Sequence, residues 1–190
     1  MSDELLDIVD DDDLVTGQEM RSVVHLRGLQ HRGVHVFLVT PEGKLIVQQR
    51  SQHRGTAPLA LDCSVSEHVK AGEGYPQAAA RGLAEELGIQ GVDIHALIKF
   101  KMDYGPNDRE ICQLYEGFAD PALVHFDPLE VERVACYSLD ELEALIRDGK
   151  VTFSGWFVQL VRWYRGRPSE LQILKDFTHE RLLLPLKGLQ

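Results

Sequence analysis

Between positions 67 and 89 the chain reads EHVKAGEGYPQAAARGLAEELGI, a loop followed by a helix, with acids at both ends. Ala71, Gly72 and Gly74 are small, and the two glycines suit a tight path with positive φ. Pro76 fits a first helical position, where a missing N–H costs nothing. Gln77 to Leu87 are good helix formers apart from Gly82, and Gly88 fits the residue that closes a helix. Ala79, Ala80, Leu83 and Leu87 recur at helical spacing and predict a core face. Glu85 and Glu86 fall just off it, and Glu73 lies in the loop before it. Three carboxylates on one loop–helix unit repel one another unless a cation sits between them. Hard oxygen donors at this density suit Mg²⁺ or Mn²⁺.

This stretch resembles the Nudix box, G-x5-E-x7-R-E-U-x-E-E-x-G-U, where U is bulky and aliphatic. Glu73, Arg81, Leu83, Glu85, Glu86, Gly88 and Ile89 match at the required spacing, while Glu67 replaces the opening Gly and Gly82 replaces the Glu after the Arg. An ordinary amphipathic helix with a solvated acidic end and an Arg81–Glu85 pair would explain Glu85 and Glu86. It would not explain Glu73 at its distance in the loop. The resemblance implies a Nudix-like α/β/α sandwich with a mixed sheet, and a metal-dependent hydrolase of a diphosphate-linked small molecule. It implies that Glu85 and Glu86 are catalytic and hold Mg²⁺ (or Mn²⁺), with Glu73 beside them. Gly82 removes one carboxylate, so Glu110, Glu116, Glu130 and Glu132 are possible substitutes, Glu110 first among them. Glu67 either adds a ligand or marks a loop of another shape.

The segment LLDIVDDDD with Met20 to His25, and the strand–turn–strand ending QQRS, resemble a branch similar to isopentenyl-diphosphate isomerase. Members of that branch hold a metal through histidines and paired acids, which here implies a second set: His25, His31, His68 and Asp108, with Glu110. The i, i+2 spacing of Asp108 and Glu110 puts both acids on one side of a strand. The isomerases carry a catalytic Cys where this chain has Ser66, and alternation puts Cys63 on the opposite face from Ser66. Two other readings therefore stand beside the hydrolase: a Nudix-fold protein that binds its ligand with little or no catalysis, and a prenyl diphosphate isomerase. Arg50 and Arg54, in a polar loop, are the candidate phosphate contacts, being either surface residues or planar donors to substrate.

The elements that must position these groups can be read in outline. Val34 to Val39 and Leu45 to Gln49 predict two strands about a Pro41–Lys44 turn. Leu59 to Val65, Gly91 to Met102, Glu110 to Phe118 and Glu130 to Tyr137 predict four more. Ser138 with Glu141 forms a capping box ahead of a helix that Gly149 closes. Phe153 to Tyr164 predicts an apolar helix in which Trp156, Phe157 and Trp163 are best read as core, and Leu171 to Leu184 a last helix. Residues 1–20 form an acidic lead-in, solvated and partly mobile, although Leu5, Leu6, Ile8 and Val9 could pack as an edge element. Residues 21–168 then form the Nudix-like domain, and residues 169–190 a C-terminal helix and tail packed on it.

The chain has 190 residues, 44% of them hydrophobic and 26% charged, as in a globular domain. Its net charge of −10 argues against nucleic acid or an anionic membrane as partner. It does not exclude an anionic small molecule, because a bound divalent cation reverses the local sign. The three cysteines have neither zinc spacing nor disulfide density, and there is no signal-peptide pattern or membrane span. The expected setting is cytoplasmic, and a homodimer is a candidate assembly because dimers are common for the fold.

Overall fold

The computed structural model describes residues 3–105 and 107–178. Its centre is the strand β3 (His31–Val39), which follows a hairpin of β1 (Leu5–Val9) and β2 (Val15–Met20) and the short helix α1 (Arg21–Arg27). After β3 come β4 (Leu45–Arg50), β5 (Leu61–Asp62), β6 (Val65–His68) and the helix α2 (Tyr75–Leu87). The long pair β7 (Ile94–Gly105) and β8 (Asp108–Phe118) precedes β9 (Val131–Tyr137), the helices α3 (Leu139–Asp148) and α4 (Gly155–Tyr164), and β10 (Gln172–Asp176).

The larger sheet is mixed, in the order β10-β7-β8-β3-β4-β5, with β6 on β3 and β9 on β4. β3 runs parallel to β8 and antiparallel to β4 and β6. Because side chains alternate along a strand, β3 feeds two cores. Val34, Val36 and Leu38 pack with Ala78, Ala79, Leu83 and Leu87 of α2. Phe37 and Val39 pack on the other face with Leu142 of α3 and Phe157, Leu160 and Val161 of α4. Both faces are covered by helices, so the architecture is the expected α/β/α sandwich. The predicted capping box of α3 is present in both directions between Ser138 and Glu141.

Five expectations need correction. The reading of residues 1–20 as a solvated lead-in fails, because β1 and β2 pair and Leu6 and Val9 are buried. Two of the run's acids are also neutralised: Asp13 pairs with Arg32 and Lys99, and Asp11 with Lys101. The last helix fails as well. Residues 172–176 instead form β10 on the edge of β7, and the rest of that predicted helix lies largely outside the described residues. In α2 the inner face is Ala78, Ala79, Gly82, Leu83, Glu86 and Leu87, while Ala80 is exposed. The single strand expected over Leu59 to Val65 is two short ones, β5 and β6, and the break upsets the alternation between Cys63 and Ser66. Cys63 lies in the core beneath α4, and the Ser66 hydroxyl also faces that layer, 3.2 Å from Trp156 Nε1. Finally, Trp156 is core only in part: it packs half-buried against the α4-side core, while its indole N–H donates to the buried Asp62 Oδ1 at 2.6 Å.

Candidate functional site

Helix α2 lies against β6, and its buried face carries Glu86 at 1% exposure. A carboxylate so placed needs a partner for each oxygen. Gln48 of β4 donates to Oε2 at 2.7 Å. Oε1 has no hydrogen-bond partner among the described residues, and Arg54 Nη2 stands 3.8 Å away. Burial, then the charge of Glu67, pushes the Glu86 carboxyl well above the ordinary range. Glu67 moves the other way: burial opposes it, but the neighbouring Glu86 carboxyl and the Arg81 and Arg54 guanidiniums hold it down. The two share one environment that can hold a proton or a cation.

Arg81 organises the rest of the unit. Its guanidinium donates to Glu73 at 3.1 Å, to Glu67 at 2.9 Å, to Glu85 at 3.1 Å and to the His68 carbonyl at 2.8 Å. Glu73 also accepts the Lys70 backbone N–H, so both of its oxygens shape the loop. The Glu85 side chain is 54% exposed, at the mouth of the cleft beside Lys70.

The second predicted set converges. Register brings it together: β3 and β8 pair His31 with Glu110, while β3 and β6 pair Gly33 with His68. Helix α1 adds His25, and the three imidazole rings lie 5.1–5.2 Å apart, centre to centre. Glu110 Oε1 lies 3.3 Å from His31 Nε2 and 3.7 Å from His68 Nε2, and Asp108 Oδ1 lies 3.3 Å from His25 Nδ1. Gly33 makes this possible, since a Cβ there would stand 2.6 Å from Glu110 Oε2 and 2.9 Å from Cys112 Sγ. Burial opposes ionisation of Glu110, but His31 first, then His68 and His35, hold its carboxyl far below the usual range. Burial likewise opposes protonation of His31, yet Glu110 outweighs it and raises the ring.

A cleft of about 310 Å³ separates the two clusters, with Arg21, Arg54, Glu67 and His68 in its wall. A narrower recess continues between them past Arg50, His35, Ser66 and Trp156. Arg50 is buried against Asp62, 2.8 Å from Nη1 to Oδ2, and lies over the Trp156 ring. Ser66 Oγ donates to Asp62 Oδ1 at 3.1 Å and lies 3.0 Å from His35 Nδ1. Burial lowers His35.

The other proposed carboxylates do not all reach this place. Glu130 does, paired to Arg54. Glu116 does not border the cleft as expected: it is buried at the far end of β8, bonded to Tyr164 and 3.3 Å from His95. Glu132 is exposed on β9. Sequence reasoning missed Arg21, His35 and Asp62. Arg21 and His35 had a usable signal, the first as part of the quoted leader segment and the second as the one polar residue of the apolar stretch Val34 to Val39. Asp62 had none.

The histidine cluster fits a divalent cation, and Glu86 offers an oxygen to one. Glu86 Oε1, Asp108 Oδ1, His25 Nε2 and His31 Nε2 are buried without hydrogen-bond partners among the described residues, an arrangement that a cation would relieve. His25, His31 and His68 offer three nitrogen donors within 4.8 Å of one another, and His31, Asp108 and Glu110 offer a mixed set at the same spacing. A carboxylate such as Glu86 suits Mg²⁺ or Mn²⁺, with its neighbours Glu67, Glu73 and Glu85 held by Arg81, whereas the imidazole set suits a transition metal such as Mn²⁺ or Zn²⁺.

This sandwich, with its acids at the end of one helix, defines a class. Residues 29–157 match the family described as the NUDIX domain, and the chain belongs to that family. It is 40% identical over 116 residues to an uncharacterised Nudix hydrolase of Streptomyces coelicolor, covering 60% of this chain and 64% of that protein. With an uncharacterised Nudix hydrolase of Clostridium acetobutylicum it shares 34% identity over 190 aligned positions, covering 93% of this chain and 91% of the relative. An isopentenyl-diphosphate Δ-isomerase of Pectobacterium atrosepticum is 26% identical over 153 residues, 79% of this chain and 85% of that enzyme. The crystal structure of the Deinococcus radiodurans protein DR0079 superposes with a TM-score of 0.74 at 30% identity, covering 84% of this chain and 98% of that one.

Proposed function

We propose that the protein is a divalent-metal-dependent pyrophosphohydrolase of a diphosphate-linked small molecule, such as a nucleoside diphosphate carrying a second group. The observation that carries this reading is Glu86: a buried carboxylate with an oxygen that has no hydrogen-bond partner among the described residues, facing Arg54 at the edge of a cleft lined by acids and by Arg21, Arg54 and Lys70. A bound Mg²⁺ or Mn²⁺ would supply charge neutralisation at the diphosphate and acidify a water. Glu86, with Glu85 at the mouth, would hold it, while Glu73, both oxygens bonded to Arg81 and the Lys70 N–H, would brace the loop beside it. Arg54 and Arg50 bind and orient phosphate oxygens, which the planar guanidinium suits, and Arg21 extends that surface. The attacking water bonds to phosphorus as the bridging P–O bond breaks, the bond's electron pair leaves on the departing phosphate, and the water's proton passes to a carboxylate of the site that does not hold the ion.

Incubation with a panel of nucleoside diphosphates, nucleotide sugars and dinucleotides, with Mg²⁺ and with Mn²⁺, tests this. The expected result is release of a monophosphate or phosphate that stops on chelation and falls at least ~100-fold in Glu86→Gln. Saturable binding without turnover would identify a ligand-binding member instead. The convergence of His25, His31, His68, Asp108 and Glu110 favours a second reading, a prenyl diphosphate isomerase with its own metal. Deuterium uptake from solvent into isopentenyl diphosphate would establish it. The Ser66 hydroxyl counts against it, because a hydroxyl is a far weaker acid than the thiol expected there.

A further inference from the structure

The two departures from the box, at Glu67 and Gly82, occupy one place. A Cβ added at Gly82 would stand 2.5 Å from Val65 Cγ1 and 3.0 Å from Glu67 Cγ. Helix α2 therefore approaches β6 as closely as only a glycine permits, and the Glu67 side chain runs through the volume a side chain at position 82 would enter. The Glu67 carboxylate ends among the groups that face Glu86. Its Oε2 accepts from Arg81 Nη1 at 2.9 Å, and its Oε1 lies 4.0 Å from Arg54 Nη2, the same guanidinium nitrogen that stands 3.8 Å from Glu86 Oε1. Independently, Glu86 Oε1 is buried and lacks a hydrogen-bond partner among the described residues.

We propose that Glu67 is a metal-holding carboxylate of this chain: reaching from β6 across Gly82, it brings to Glu86 the oxygen donor that the box otherwise carries on the helix. The substitutions at 67 and 82 are then one reciprocal exchange. Gly82 is the space and Glu67 the group that fills it, while Arg81 orients the carboxylate by holding Oε2. The number of acids at the site is preserved, and their origin moves from helix to strand. This inference rests on the metal-dependent reading of the Glu86 site.

The test is calorimetric titration of Mg²⁺, which the imidazole cluster holds poorly, into the full chain and into Glu67→Gln. The amide keeps the shape and can still accept from Arg81. The expected result is Mg²⁺ binding about tenfold or more weaker in Glu67→Gln, with the metal-free melting temperature unchanged. Equal Mg²⁺ affinity in the two proteins overturns the inference. Mn²⁺ soaked into crystals of the wild-type chain and located by its anomalous scattering gives a reading that does not depend on a variant folding. An ion bonded to both Glu67 and Glu86 supports the proposal; an ion on Glu86 that Glu67 does not touch defeats it alone; no ion on Glu86 defeats the metal-dependent reading as well. As a converse, Glu67→Gly should lose Mg²⁺ affinity and Glu67→Gly/Gly82→Glu/Val65→Ala should regain it.

Discussion

Arg54 is the residue at which the opposing demands of this site meet. It stands 3.8 Å from Glu86, 4.0 Å from Glu67 and in contact with Glu130, at 9% side-chain exposure. Burial would lower its affinity for a proton, but the carboxylates, Glu86 first, raise it. A cation fixed against these acids competes with any metal that would occupy them, since two positive charges at that separation repel strongly where water is scarce. The same guanidinium is well shaped for a phosphate oxygen. Replacing it by Met should therefore move two quantities in opposite directions. Mg²⁺ affinity without substrate should rise, as titration calorimetry would read. KM for the diphosphate substrate should rise about tenfold or more, as steady-state kinetics would read. A variant in which metal affinity falls would show that Arg54 only braces the acids.

At the scale of elements, the loop that carries Glu73 is held by a hairpin far away in sequence. Leu6 of β1 bridges to Lys70, the Ala71 N–H donates to the Leu5 carbonyl at 2.9 Å, and the Gly72 N–H donates to Asp7 Oδ2 at 2.9 Å. Leu6 is fully buried, so Leu6→Ala should cost about 2–5 kcal/mol by urea denaturation. It should also loosen residues 70–73, raising their amide exchange more than that of β8; uniform exchange would show that the hairpin does not support the loop. This tie was not legible in the sequence. The acids between Asp10 and Asp13 read as a solvated run, and only tertiary contact supplies Arg32, Lys99 and Lys101 to neutralise them. By contrast, α2, β3, β4 and the α3 cap were legible, because each rests on periodicity, a glycine or a box within a few residues. β10 was misread for the opposite reason: residues 172–176 are all exposed, so no apolar pattern announces a strand made by edge pairing to β7.

Over the whole molecule, the sheet separates two layers, and each buries a phenol whose ionisation folding opposes. Tyr115 lies in the α2 layer, where burial pushes its hydroxyl up to about 12. Tyr75, in the same layer, is also raised, by burial and then by Asp13. Tyr104 packs on the α4 side against Trp156 and is raised by burial and then by Cys112. The ordinary value is 10.0, so the unfolded chain loses these protons first. A raised folded value gives stability that is complete below pH 10 and lost as pH climbs through the folded values. The net charge of −10 acts in the same direction, because each further phenolate adds to self-repulsion. Alkaline titration followed by phenolate absorbance should therefore leave at least these three tyrosines un-ionised up to about pH 11, then release them together with the loss of secondary structure. The melting temperature should fall steadily above pH 10, and Tyr115→Phe should make that fall shallower while leaving the neutral-pH value nearly unchanged. Should all the tyrosines titrate near pH 10 with the fold intact, the packing assigned to the two layers would be too loose. Burial is the largest cause of each shift, and it is the same close packing on both faces of β3 that fixes the register bringing His31 to Glu110 and Gly33 to His68.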